Sequence, residues 1–366
     1  MEKAKISAYQ LFVLIVLFEL GSALLVPIAI EAKQDAWLAI LLGTAGGFFL
    51  YLVYYGLFHY YPDILPTEYM QKIVGKPFGK LLAFLYILYF MYLAARMLRV
   101  FGELLITFAY PRTPLFILNA LFLVVIIYTL RKGIEVVART GELLFVILFL
   151  LTISGFMLIV ISGLIDLHNL QPVLEEGMLP AVKTVLTRTL YFPFGEAIVF
   201  TMILPYLNQS KKAKLTGVYA IGLSGLTLTL IAVLNISVLG INLTTRSQFP
   251  LLSTIQTIQI GGFLERLDVY FMLFLILGGF FKISLFFYGA VAGTANLFNF
   301  KEPSKLAYPI GIAILLVSMT ISSNYAEHIN EGIRLIMLPI HLPFQVIIPV
   351  LLLIIAFFKH RKKRGK

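Results

Sequence analysis

Ten apolar stretches follow one another along this chain, and they leave almost nothing from which a water-soluble core could form. A helix rises about 1.5 Å per residue, so about 20 apolar residues cross a hydrocarbon layer about 30 Å thick. The stretches run roughly over 8–30, 36–59, 80–108, 115–130, 138–163, 181–207, 215–240, 268–297, 306–322 and 334–358. Of 366 residues, 60% are hydrophobic and only 13% charged, a membrane composition. Backbone groups in lipid must be satisfied within each segment, so the expectation is an all-α integral membrane protein. A single transmembrane domain over 1–366 follows. The first stretch lacks a small-residue cleavage site, and nine more follow it, so it reads as a span and not as a signal peptide.

The net charge of +11 invites a nucleic-acid reading, but the basic residues fall between apolar stretches. That pattern orients a membrane protein and argues for a lipid bilayer, not nucleic acid, as the partner. With the N-terminus inside, 19 Lys and Arg fall on the inner side and 7 on the outer; Lys3 and Lys366 count among the former, Arg266 among the latter. Both termini are therefore expected in the cytoplasm. With no cysteine, disulfides and thiolate metal sites are excluded. The five histidines are scattered without metal-ligand spacing, so neither metal nor cofactor is expected. Gly75-x-x-x-Gly79-Lys80 is one residue short of a phosphate loop, and no nucleophile–base pattern stands out, so no enzyme is read.

Two apolar stretches are interrupted. The sixth carries Thr189-Leu190-Tyr191-Phe192-Pro193-Phe194-Gly195-Glu196 near its centre. Pro193 removes the helical donor to the Thr189 carbonyl, Gly195 permits unusual backbone angles, and Glu196 places a carboxylate at membrane depth. A broken helix would offer carbonyls at Leu190, Tyr191 and Phe192, and N–H groups near Gly195. A proline kink in a packing helix is the plainer alternative. The first stretch carries Glu19-Leu20-Gly21-Ser22-Ala23. Paired interruptions in corresponding halves mark a transporter-type binding site. Ten spans divide into five plus five, roughly 8–163 and 181–358, and an odd number per half inverts the second. A zwitterionic amino acid fits such a site. Amides near Ser22 and Ala23 would take its carboxylate, and carbonyls at Leu190 to Phe192 its ammonium.

Within the spans, Glu19, Glu103, Glu142 and Glu196 stand against Arg96, Arg99 and Lys282. Arg96, Arg99 and Glu103 share one helical face, and mutual pairing is their plainest role. Glu142 is expected to pair with Arg139. Lys282 pairs with Glu19 or Glu196, or acts as a fixed cation. Elsewhere, residues 67–75 form an amphipathic surface helix, and Leu251, Ile255 and Ile258 mark a short outer helix. Gly43 and Gly47, and Gly289 and Gly293, permit close helix packing. Asp166, Glu175 and Glu176 make an acidic outer loop.

Gln10-Leu11-Phe12 followed by Glu19-Leu20-Gly21-Ser22-Ala23 resembles the start of the B subunits of bacterial spore germinant receptors. Pro193-Phe194-Gly195-Glu196 with Ala197-Ile198-Val199-Phe200 is similar to that family's sixth span, and the segment from Phe249-Pro250 to Gly262-Phe263 resembles its loop. The family belongs to the amino acid–polyamine–organocation transporter superfamily, so the resemblance implies a LeuT-like fold. It implies a subunit of the spore inner membrane that recognises an amino acid or similar germinant and works with an A subunit and a lipoprotein C subunit. Only the backbone of Gly21–Ala23 and Tyr191–Gly195 carries over as ligand site. Fold analogy adds Leu98, Phe101 and Gly102 from span three, and span eight. In relatives of this fold span eight helps hold a sodium ion against span one, and there Lys282 would replace the ion. A free-standing transporter, exchanging or proton-coupling an amino acid, remains the alternative.

Overall fold

The computed structural model describes residues 5–258 and 267–364. Lys3, Gly262, Phe263, Arg266 and Lys366 lie outside the described residues. The helices are α1 (Ala8–Ala23), α2 (Ala36–Tyr60), α3 (Pro66–Val74), α4 (Lys76–Phe108), α5 (Leu115–Arg131), α6 (Ile134–Ile161), α7 (Leu179–Thr184), α8 (Ala213–Arg246), α9 (Pro250–Gln256), α10 (Asp268–Leu297), α11 (Pro303–Thr320), α12 (Tyr325–Glu331) and α13 (Ile348–Arg364). Among the described residues seven segments are long and apolar enough to cross a membrane, and α1 and α5 are shorter apolar helices. With the interrupted sixth stretch, every expected span is accounted for. α5 and α6 expose Leu121, Val124, Leu143 and Leu150, a periphery suited to lipid.

Both breaks fall where proline removes a donor. α1 ends at Ala23, four residues before Pro27, so the Ala23 carbonyl could have had no helical partner. Residues 24–29 are non-helical, and a 3-10 turn, Ile30–Asp35, leads into α2. In the sixth span, α7 passes into a π-helical turn, Val185–Thr189, which stops four residues before Pro193. Leu190 to Pro193 form the turn, and a 3-10 helix, Phe194–Met202, completes the crossing. The first break therefore lies just beyond the expected place: Gly21, Ser22 and Ala23 are helical, and the end of α1 that meets the break is its carbonyl end.

α10 is the central element. It packs along α4 and against α1, and is buried from Gly278 to Gly293. α1 and α10 touch backbone to backbone, since a Cβ on Gly21 would lie 2.7 Å from the Gly278 carbonyl oxygen. The paired glycines seat the broken sixth span. Gly43 and Gly47 of α2 face Thr189 and Phe194, while Gly289 and Gly293 of α10 face Val199 and Met202. α3 buries Tyr69, Met70 and Ile73, and Lys359 caps its end by donating to the carbonyls of Lys72 (3.1 Å) and Ile73 (2.7 Å). α9 buries Leu251 and Ile255; Ile258, also buried, lies past its end. The start of the chain is bound to the far end of the sixth span: the Ile6 amide donates to Tyr206 (2.9 Å) and the Asn208 amide to Ile6 (3.0 Å).

Candidate functional site

A cavity of about 530 Å³ opens between the two breaks, within the range of small-molecule sites. The first break supplies Ser22 and residues 26–31, α4 supplies Leu93, Arg96, Met97 and Val100, and the sixth span supplies Arg188, Phe192 and Glu196. The remaining wall comes from residues 245–248, from Tyr325 and His328 of α12, and from Gly332, Ile336, Met337 and His341. These last four lie on a π-helical stretch, Gly332–Ile347, that contains Pro339 and Pro343. The tenth span is thus also distorted, and the cavity rests on three irregular backbones. At the rim Arg188 pairs with Glu31, joining the sixth span to the first. Toward the Ile6 side the path is packed with aromatic rings. Phe18 lies 5.3 Å from Phe200 and 5.0 Å from Phe286, and Tyr206 lies 6.1 Å from Tyr288.

Below the cavity sits a buried charge cluster. Lys282 Nζ is 2.6 Å from a Glu196 carboxylate oxygen, with the side chains 0% and 2% exposed. At that separation, out of reach of water, the two charges attract strongly. The rings of Phe192 and Phe18 lie 4.7 and 5.0 Å from the ammonium, which adds cation–π attraction. Glu19 lies within electrostatic reach of both, fully buried, and neither of its carboxylate oxygens has a hydrogen-bond partner among the described residues. Lys282 is thus paired with Glu196, and Glu19 lies beyond the pair.

A polar chain runs beside this cluster. Tyr54 donates to the carbonyl of Gln345 at 2.7 Å and is 3.2 Å from that of Gly195. Gln345 Nε2 donates to Tyr89 at 2.9 Å, and Tyr89 meets His341 Nδ1 at 2.8 Å. Tyr89 thus sits between the Gln345 amide and the His341 ring. The chain ties α2, α4, the sixth-span break and the tenth span together. Outside the spans, the Ser323 amide donates to Glu327 at 2.7 Å and holds that carboxyl below its ordinary range. This closes the first turn of α12, which carries His328 to the cavity wall.

Of the residues singled out in the sequence, Ser22, Phe192, Arg96 and Glu196 line the cavity. Ala23 lines a separate small pocket of about 40 Å³, and Gly21 one of about 70 Å³. Leu98, Phe101 and Gly102 are buried in packing instead: Phe101 covers Gly279, and Gly102 meets Asn119 of α5. The cavity uses a different face of α4. Leu190 packs on Gly46 of α2, Tyr191 is buried, and Gly195 abuts Gln345. Arg99 pairs with Glu103 at 2.7 Å, but Arg96 stands apart. Arg139 pairs with Glu135, not Glu142, which instead accepts from Gln10 at 3.0 Å, one turn of α6 further on. His328, His341, Tyr89 and Gln345 were not anticipated. The signal available for the last span was three polar or ring-locked residues, Pro339, His341 and Pro343, in an apolar run.

Breaks in the first and sixth of ten spans, with a cavity between them, define a membrane protein of the LeuT-type transporter fold. The solved structure of MhsT in complex with L-phenylalanine matches with a TM-score of 0.68, at 13% identity, over 98% of this chain and 99% of that one. Mhp1, a nucleobase-cation-symport-1 family transporter in a closed conformation with bromovinylhydantoin bound, matches with a TM-score of 0.66, at 13% identity, over 89% and 74%. At such identities the likeness is one of fold. The chain belongs to the spore germination protein family, which it matches over residues 5–326. It is 55% identical to spore germination protein KB of Bacillus subtilis (strain 168) over 100% of this chain and 98% of that protein. It is 25% identical to spore germination protein YndE of the same organism over 99% of each.

Proposed function

We propose that this chain is the ligand-binding membrane subunit of a spore germinant receptor, and that the cavity receives an amino acid or similar small germinant. The observation that carries this reading is the cavity of about 530 Å³ set between the breaks of the first and sixth spans. A fold neighbour, MhsT, was solved with an amino acid, L-phenylalanine, which supports the ligand class. The protein works by binding and not by catalysis. It lies in the spore inner membrane with both termini in the cytoplasm, so the cavity opens outward, toward arriving germinant. Residues 8–163 and 181–358 act as inverted halves of one transmembrane unit, and movement between them on binding passes to the A and C subunits. The transporter neighbours favour a second reading, a free-standing amino acid transporter.

Binding of single amino acids to the purified chain in nanodiscs, followed by flux into proteoliposomes, separates the two. Saturable binding without flux is expected. Sustained ligand flux by the isolated chain would move the assignment to a transporter, and absence of binding by every amino acid would reject the ligand class.

A further inference from the structure

The end of α1 at the first break presents carbonyls, so the amides of Ser22 and Ala23 are spent within the helix and cannot hold a ligand carboxylate. The positive charge in the cavity wall is elsewhere. Arg96 lines the cavity, is 7% exposed, and donates to the Tyr92 hydroxyl at 3.3 Å and to the His328 carbonyl at 3.2 Å. Both acceptors are neutral. Of the other basic groups here, Arg99 pairs with Glu103, Arg188 with Glu31 and Lys282 with Glu196, and Arg246 in the wall is exposed where Arg96 is buried. Among the described residues Arg96 has no carboxylate within ion-pair distance. A guanidinium offers five donors in a rigid fork shaped for a carboxylate, and two of these bonds are spent. Its seat is built for it, because a Cβ on Gly332 would collide with Nη2.

The floor carries an acceptor. Glu196 lines the cavity with its carboxylate paired to the buried Lys282 beneath it. Phe192, beside it, belongs to the break that interrupts the sixth helix. A buried guanidinium with no carboxylate partner on one wall and the Glu196 carboxylate on the floor match the two ends of a zwitterion. An isolated buried charge is costly, and an anion from outside relieves that cost when it binds.

We infer that Arg96 is the residue that takes the ligand's carboxylate, with the ligand's ammonium directed toward Glu196. This rests on the ligand-sensing reading and narrows it to small α-amino acids with a free carboxylate. Arg96 acts by direct bidentate contact, and the wall formed by its neighbour Met97 and by Leu93 and Val100, one turn to either side, meets the ligand's side chain.

The test uses the full chain in nanodiscs and a panel of free amino acids, each beside its α-carboxamide. The native protein is expected to bind at least one free acid about tenfold or more tightly than its amide, as loss of a charged hydrogen-bond partner implies. Arg96→Gln is expected to erase that preference by weakening the acid while leaving the amide where it was. Arg96→Lys, which keeps the charge without the fork, is expected to retain part of it. The acid-to-amide ratio on the native protein needs no variant to fold. An amide that binds the native protein as well as its acid overturns the role of Arg96 and leaves ligand sensing standing. So does a preference that survives in Arg96→Gln. If no member of the panel binds, both readings fall.

Discussion

At the scale of single residues, the Glu19, Glu196 and Lys282 cluster decides how the core tolerates charge. Removing one partner of a buried pair leaves an uncompensated charge and costs about 3–5 kcal/mol. Lys282→Met should therefore lower thermal stability in detergent sharply, because the buried Glu196 carboxylate loses its partner. Adding Glu196→Gln should restore much of it, whereas Glu19→Gln alone should cost little, since Glu19 has no hydrogen bond to lose. An unchanged Lys282→Met variant would mean that the ammonium does not hold this cluster together. Gly21 belongs to the same scale. A side chain there strikes the Gly278 carbonyl, so Gly21→Leu should reduce the amount of folded protein in the membrane, by an overpacking cost of about 1–3 kcal/mol or more. Normal abundance with lost ligand response would point instead to a ligand contact at Gly21. Sequence alone marked Lys282 as a partner of Glu19 or Glu196, and the structure gives it Glu196; it marked Gly21 as special but not why. A glycine beside an acid in an apolar span is compatible with a break, and also with two helices crossing at contact distance. Only the partner, Gly278, distinguishes them.

At the scale of elements, the spans were legible because apolar length is a local property. The sixth-span break was legible because proline, glycine and glutamate coincide there. The first break lies beyond Gly21-Ser22 because Pro27 acts on the carbonyl four residues before it, that of Ala23. Thr189 and Pro193, like Ala23 and Pro27, obey that spacing. Pro27→Ala should let α1 continue and withdraw residues 26–31 from the cavity wall. Ligand affinity should fall about tenfold or more, about 1.4 kcal/mol, while membrane abundance holds. Unchanged affinity would show that the first break does not shape the site. The choice of face on α4 was not legible. Arg96, Arg99 and Glu103 repeat at helical spacing, yet Glu103 can pair with only one arginine well, and the geometry gives it to Arg99. What remains over, Arg96, turns to the cavity. That outcome depends on α12 and Gly332, more than 230 positions away in sequence.

At the scale of the whole molecule, the cavity reaches one side of the bundle, and aromatic packing with the Ile6–Tyr206 backbone link closes the other. A germinant arriving from outside would meet an open site whose closure draws the first, sixth and tenth spans together. Arg188 and Glu31 already bridge the first two at the rim. The chain has no cysteine, which makes it a ready background for site-directed thiol labelling. The most direct measurement is the labelling of Met97→Cys, on the α4 wall of the cavity, by a membrane-impermeant thiol reagent. Sealed vesicles of known orientation are labelled with and without a saturating amino acid that binds the native protein. The structure predicts labelling from the side opposite the termini and protection by the bound amino acid. Labelling only from the side of the termini, or labelling that a saturating amino acid leaves unchanged, would contradict a ligand cavity between the two breaks.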